Sequence, residues 1–259
     1  MTGDIGSVGN LPRWVSLVRA PNPGPMTLDG TNTWVISADG ADGVLVVDPG
    51  PRIDEHLEAV ARHAPVRGVL LTHHHPDHAE GIERFTELTG ATVINPAPGG
   101  SLRHGDLEIT TLATPGHTAD SVSFHVDADA PAVFTGDTVL GMGSTAVLWP
   151  DGNLGDYLDS LELLERQGPI PVLPGHGPIR DDCAAAAAEY LAHRRQRLDQ
   201  VRAALRDGAS SAADVVSVVY AEVDRSLWPA AESTVRAQLA YLSSRDGEHI
   251  RPADGWAES

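Results

Sequence analysis

The sequence predicts an α/β protein, a layered sandwich of sheet and helix followed by a smaller helical appendage. Three observations carry this. Short apolar runs rich in valine, leucine and isoleucine recur up to Cys183, each bounded by glycine or proline as buried strands are. Segments of helical spacing interrupt them, so that sheet must pack against helices lying outside it. Beyond Cys183 the composition shifts to strong helix formers.

Taken in order, strands are predicted near Thr33–Ser37 and Gly43–Val47, the second ending at the turn Asp48-Pro49-Gly50. The spacing of Leu57 and Val60 predicts a helix over Asp54–His63, and the apolar run after Arg67 predicts a strand over Gly68–Leu71. A helix over Asp77–Leu88 carries Ile82, Phe85 and Leu88 three residues apart, and a strand is predicted at Ala91–Ile94. Strands at Ile109–Ala113, Ser121–His125 and Ala132–Phe134 follow, then a helix over Asp156–Gln167 and a strand at Pro171–Leu173. The sandwich domain is drawn at residues 1–182 and the appendage at 183–259. The appendage opens with a long helix from Cys183 that stops at Gly208, a plausible C-cap. Helices at Ala212–Val223 and Pro229–Leu242 complete it, and Asp246-Gly247 could turn a short hairpin.

Charge and cysteine usage exclude several classes of function. The 259 residues hold 36 acids against 18 arginines and no lysine, a net charge of −18 that excludes a surface which coats nucleic acid. Residues 1–183 carry nine arginines and 25 acids, net −16, whereas 184–259 carry nine and 11, net −2. The single cysteine, Cys183, excludes an intramolecular disulfide, a cysteine-rich zinc knuckle and a CxxC redox centre. Any metal must therefore be held by nitrogen and oxygen. The opening MTGDIGSVGNLPRW lacks the apolar core of a signal peptide, and no later run reaches the roughly 20 apolar residues of a membrane span, so a cytoplasmic location is expected.

The chemistry is concentrated at VLLTHHHPDH, Val69–His78, where an apolar strand ends in three histidines, a proline, an aspartate and a fourth histidine. In extended backbone His73 and His75 project to one side, and Asp77 and His78 begin a new turn that can aim at a second point nearby. Three later segments repeat the grammar of strand, glycine turn and ligand type: TLATPGHT with His117, AVFTGDT with Asp137 and PVLPGHGP with His176. In α/β sheets ligands gather where strands end, and these seven groups suffice for two metals.

At these residues the sequence resembles the metallo-β-lactamase superfamily, whose HxHxDH motif, later histidine, bridging aspartate and final histidine match without a gap. The resemblance implies that His73, His75 and His117 bind one metal, that Asp77, His78 and His176 bind the second, and that Asp137 bridges them. Asp48, in LVVDPG, is similar to the superfamily's first motif and would orient histidines from behind rather than bind metal. The implied fold is a four-layer αββα sandwich with the metals at one edge, over about Thr33–Gly177. A narrower resemblance rests on NPGPMTLDGTNTWVI, GDTVLGMGST, GDYLDSLELL, PGHGP and AHRRQR. These segments look like the β-lactamase-like protein 2 family, which adds a C-terminal winged-helix-like unit and whose animal members cleave single-stranded RNA.

The implied activity is hydrolysis by a metal-bridging hydroxide, with two Zn2+ ions, or Mn2+ or Fe2+, and with Asp77 orienting the nucleophile. The sequence has no G-x-S-x-G elbow, in keeping with a nucleophile that is water. Aspartate rather than cysteine at Asp137 argues against penicillin hydrolysis, and an intact His75 argues against the oxygen-reducing di-iron relatives. The leading substrate is a phosphodiester such as short single-stranded RNA, and the alternative is a thioester, as in glyoxalase II, which shares the ligands. A non-catalytic DNA- or partner-binding protein would have no need of a complete ligand set. Trp149 could sit at the pocket mouth or pack its loop onto the sandwich. Arg194, within the stripe Leu191, Leu198, Val201, Leu205, could contact a substrate anion or lay its stem on the sandwich and pair with an acid. Arg195, Arg202 and Arg206 fall on another, solvated face, and His74, His104, His125 and His193 are read as structural.

Overall fold

The computed structural model describes residues 11–245. A first sheet is built from β1 (Val15–Arg19), β2 (Asn32–Ser37), β3 (Val44–Val47) and, after helix α1 (Asp54–Ala61), β4 (Val66–Leu70). Its first three strands are antiparallel, and β4 joins β3 in parallel because the α1 crossover returns the chain to the same edge. Two short helices follow, α2 (Pro76–Ala79) and α3 (Ile82–Thr89). The second sheet runs β5 (Ser101–His104), β6 (Leu107–Ala113), β7 (Val122–Asp127), β8 (Ala132–Gly136) and, across helix α4 (Leu154–Glu165), β9 (Val172–Pro174). Here too only the pair joined through a helix, β8 and β9, is parallel. Helices α5 (Cys183–Arg206), α6 (Ala212–Val219) and α7 (Trp228–Arg245) end the described chain, with a 3-10 turn at Arg225–Leu227 before α7.

The period-2 geometry of strands explains why these runs are apolar throughout rather than alternating. Val35 and Val46 face Leu57, Val60 and Phe85 of α1 and α3, while Trp34, Ile36, Leu45 and Val47 face Ile109, Phe124, Phe134 and Leu173 of the opposite sheet. Val133 and Val172 point outward again, against Tyr157, Leu161, Cys183, Ala187 and Leu191 of α4 and α5. Three apolar clusters thus separate four layers, the αββα sandwich. The third cluster continues without a break through Val215 and Val216 of α6 into Val235, Leu239 and Leu242 of α7. Helix α5 is both the outer layer of the sandwich and the platform of the helices that follow.

Four details depart from the sequence reading. Ala91–Ile94 forms no strand but a single bridge, Val93 to Val69, after which the Asn95 side chain bonds both the N–H and the C=O of Leu71 in place of backbone. Pro96 and Pro98 then prevent a ladder from continuing. The helix expected over Asp77–Leu88 is broken at Gly81, which donates to the Gly50 carbonyl and packs so tightly that a Cβ there would lie 2.7 Å from that oxygen. Strands β1 and β5 were missed because, as half-exposed edges, VSLVR and SLRH mix polar with apolar residues. Helix α6 stops at Val219 instead of Val223, and Asp224 caps the 3-10 turn that follows. Gly208, at φ +102°, follows the last residue of α5 as a helix-ending glycine should. The turn expected at Asp246-Gly247 lies outside the described residues. Among the described residues no helix is long and apolar enough to cross a membrane.

Candidate metal centre

The C-terminal ends of five strands converge on one edge of the sandwich: Asp48 follows β3, His73 and His75 follow β4, His117 follows β6, Asp137 follows β8 and His176 follows β9. His78 enters from α2, whose proline at the first position lets the chain turn directly out of His75. His73 Nε2 lies 3.2 Å from His75 Nδ1, which lies 3.0 Å from His117 Nε2. Beside this trio, His78 Nε2 and His176 Nε2 are 3.3 Å apart, and Asp77 Oδ2 is 3.1 Å from His176 Nε2. Asp137 stands between, with Oδ1 3.4 Å from His78 and Oδ2 3.7 Å from His117 and 3.4 Å from His176. All seven predicted ligands are therefore brought together, as His73-His75-His117 and Asp77-His78-His176 with Asp137 shared.

Whether such a set suits a metal depends on where the protons sit. His78 Nδ1 is 2.8 Å from Asp48, His117 Nδ1 is 2.8 Å from the Ala146 carbonyl and His176 Nδ1 is 3.3 Å from the Gly30 carbonyl. These partners can only accept, so in its neutral form, the one that binds a metal, each imidazole carries its proton on Nδ1 and turns the Nε2 lone pair inward. His73 Nδ1 lies 3.0 Å from the Thr72 hydroxyl, which itself donates to Asp48 at 2.7 Å. The same tautomer follows. Lone pairs facing each other at this range repel unless a cation lies between them, and Asp137 Oδ1 is buried with no hydrogen-bond partner. The residues fit bound metal.

The two ends of the site differ electrostatically. Burial, reinforced by His78, holds His73 neutral well below its ordinary range, and burial lowers His75 as well. Burial likewise opposes a charge on His176, yet hydrogen bonds to Asp137 and Asp77 push its pKa up to about 9. For Asp77 and Asp137 burial favours the protonated form, and the facing histidines override it, holding both carboxyls far below the usual range. One end is a neutral imidazole cage, and the other sets ionised carboxylates against histidines that they favour in the charged form.

Asp48 explains how this edge is held. It sits at φ +53°, uncommon for an aspartate, and its carboxylate accepts from the Thr72 N–H, the Thr72 hydroxyl and His78. Thr33 Oγ1 donates to the Asp48 carbonyl, and His56 Nε2 faces both that hydroxyl at 3.0 Å and the Pro49 carbonyl at 3.1 Å. His56 is 3 % exposed, and burial lowers its pKa to about 4. Because the unfolded chain takes up this proton near pH 6.5 and the folded one only near 4, the contribution is intact above pH 6.5 and fades as pH falls toward 4, by about 3 kcal/mol in all. Urea unfolding in chelator from pH 7 to 4 should therefore show a shallower acid loss for His56→Gln than for wild type. Equal slopes would contradict it.

A model of the metallo-β-lactamase superfamily matches residues 26–110 and 98–176. The chain belongs to the metallo-β-lactamase superfamily. Its members are generally hydrolases, and residues 211–247 further match the β-lactamase-associated winged helix domain. A β-lactamase-like protein 2 homolog of Drosophila melanogaster is 31 % identical over 92 % of this chain and 90 % of its own. An atrochrysone carboxyl ACP thioesterase of Aspergillus chevalieri is 34 % identical over 81 % of this chain and 71 % of its own. A β-lactamase domain protein from Burkholderia ambifaria superposes with a TM-score of 0.77 at 25 % identity, covering 93 % of this chain and 88 % of that one.

The metallo-β-lactamase edge also shows where the remaining predicted residues lie. Trp149 is 39 % exposed, and its backbone bonds Ser233 of α7 at N–H and C=O, so its loop is pinned while the indole is not buried. Arg194 is 3 % exposed and pairs with no acid among the described residues: it donates to the Thr145 carbonyl and lies 5.1 Å over the Tyr157 ring. Its stem is laid on the sandwich as one reading had it, but the guanidinium is not offered to a substrate anion. Arg195 pairs with Glu162 and Arg202 with Asp199 on the outer surface. His74 is exposed beside the trio, 2.8 Å from Asp120 and 3.7 Å from Asp151, so it belongs to the rim and not to the core. Sequence reasoning missed Thr72, Thr33 and His56, whose roles have no signature beyond standing next to a motif.

Proposed function

We propose that the protein is a binuclear metal-dependent hydrolase and that its substrate is a thioester. The observation that carries the first part is the lone pair turned inward on His73, His78, His117 and His176, each backed by an acceptor on its far nitrogen. His73, His75 and His117 would hold one ion, and Asp77, His78 and His176 the other, with Asp137 common to both. A set of nitrogen and oxygen donors accepts zinc, with manganese or iron(II) as substitutes. When bound, two such ions lower the pKa of water to near neutrality and neutralise charge developing on the substrate carbonyl oxygen. Asp77 is the ligand whose side chain is a quarter exposed while the histidines behind it are buried, which suits it to orient the attacking water. Thr31 Oγ1, 3.3 Å from Asp77 Oδ2, restrains that carboxylate.

The thioester reading rests on the rim. A polyanion needs cations along its path, and the arginine best placed in sequence to supply one is buried on Thr145. What stands beside His75 toward solvent is His74 with Asp120 and Asp151, near an exposed Trp149. A thioesterase among the relatives at 34 % identity supports the same choice. Zinc-loaded protein should be offered an acyl-CoA, S-lactoylglutathione, single-stranded RNA, bis(p-nitrophenyl) phosphate and nitrocefin at one enzyme concentration. Salt-insensitive thioester cleavage with negligible action on RNA is the expected profile. Cleavage of RNA at low salt with both thioesters untouched would overturn it in favour of the phosphodiester.

A further inference from the structure

We propose that Arg194 is a positioning residue of the metal centre: from α5 it holds the segment that carries Asp137 so that the carboxylate stays between the two histidine groups. The segment from Asp137 to Thr145 belongs to no strand or helix, yet Asp137 must be placed to within tenths of an ångström to face three histidines at 3.4–3.7 Å. Its order comes from outside. Arg194 donates to the Thr145 carbonyl, and the Thr145 hydroxyl donates back to the Asp137 carbonyl at 2.6 Å. That gives a two-bond path from the guanidinium to the backbone of the shared ligand.

Two further side chains of the same wall grip the same segment. Tyr157 of α4, the ring on which Arg194 lies, donates its hydroxyl to the Thr138 carbonyl at 2.6 Å. Tyr190, one turn before Arg194 on α5, accepts from the Leu140 N–H at 3.1 Å. A buried cation that among the described residues meets no acid, and whose Nε has no partner there, is costly to keep inside a protein. Packing alone would be served as well by a methionine, and the cost is accounted for if the guanidinium has a task at Thr145. Helix α5 therefore completes the metal centre although it contributes no ligand.

The inference rests on the binuclear reading, and zinc affinity measured by competition with a chromophoric chelator on the full chain separates the two. Arg194→Met and Thr145→Val should each weaken zinc binding by roughly 10- to 100-fold, as loss of a group supporting a ligand does, and Arg194→Lys should weaken it less. Thr145→Val leaves α5 intact and decides the matter if Arg194→Met does not fold. A merely structural role is distinguished by the background: with Asp137 already replaced by alanine, Arg194→Met should cause no further loss of the remaining zinc affinity. Wild-type affinity in Thr145→Val, or an equal loss from Arg194→Met with and without Asp137, overturns the inference alone. Fewer than two zinc equivalents in wild type overturns the binuclear reading and the inference with it.

Discussion

Asp137→Ala should lower turnover by more than about 100-fold while leaving the circular dichroism of the protein close to wild type. The size follows from position. Loss of a residue that merely supports a ligand costs 10–100-fold in affinity or activity, and Asp137 is no support: its two oxygens face His117 of one group and His78 and His176 of the other. Asp77, by contrast, faces His78 and His176, both of one group. The substitution also takes a buried carboxylate from a site in which burial favours its protonated form and the histidines keep it ionised, so the unliganded fold loses no apolar contact. Turnover measured on whichever substrate the panel identifies, alongside zinc content by elemental analysis, checks it. Activity within about tenfold of wild type would show that the shared ligand has been wrongly assigned.

Gly116→Ala should lower the free energy of unfolding by more than about 3 kcal/mol, an unusually large cost for a single methyl group. Gly116 has φ +128°, where a side chain is strained, and a Cβ there would lie 2.3 Å from the Tyr157 Cα and 2.4 Å from its backbone nitrogen. The obstacle is the first turn of α4, whose Asn153 donates its N–H to the Gly116 carbonyl, so neither partner can move alone. His117 is the next residue, and the shift that relieves the clash must displace it from Ala146 and from His75. Chemical denaturation in chelator should reveal the stability loss, and zinc competition a weakened trio. A change under about 1 kcal/mol would mean that α4 yields more readily than its packing against β8 and α5 implies.

The gathering of these seven side chains at one edge was legible in the sequence because their chemistry is local. Each stands one to eight residues past a strand end and near a glycine or proline, and a strand entering such a turn leaves its next side chains at the sheet edge whatever the rest of the chain does. The same locality made the buried strands readable, since a strand covered on both faces must be apolar throughout. What depended on distant partners was not readable. Ala91–Ile94 has the composition of a strand and lost to the Asn95 side chain, Gly81 broke a helix because Gly50 approaches it, and edge strands β1 and β5 carry too little burial to leave a pattern.

Arg194 marks the boundary between the two kinds of information. An arginine inside an apolar stripe is compatible with a snorkelling stem, an ion pair or an anion contact, and all three satisfy the helix equally. Only the packing of α5 against the second sheet brings the guanidinium to Thr145, 49 residues away in sequence, and turns an outer helix into the support of the Asp137 segment. By itself the sequence determined which groups gather and at which sheet edge, because side-chain chemistry and strand endings are properties of neighbouring residues. Tertiary structure alone decided the proton on each imidazole, the grip on the shared carboxylate and the character of the rim, because each depends on an acceptor or a wall supplied by residues far along the chain.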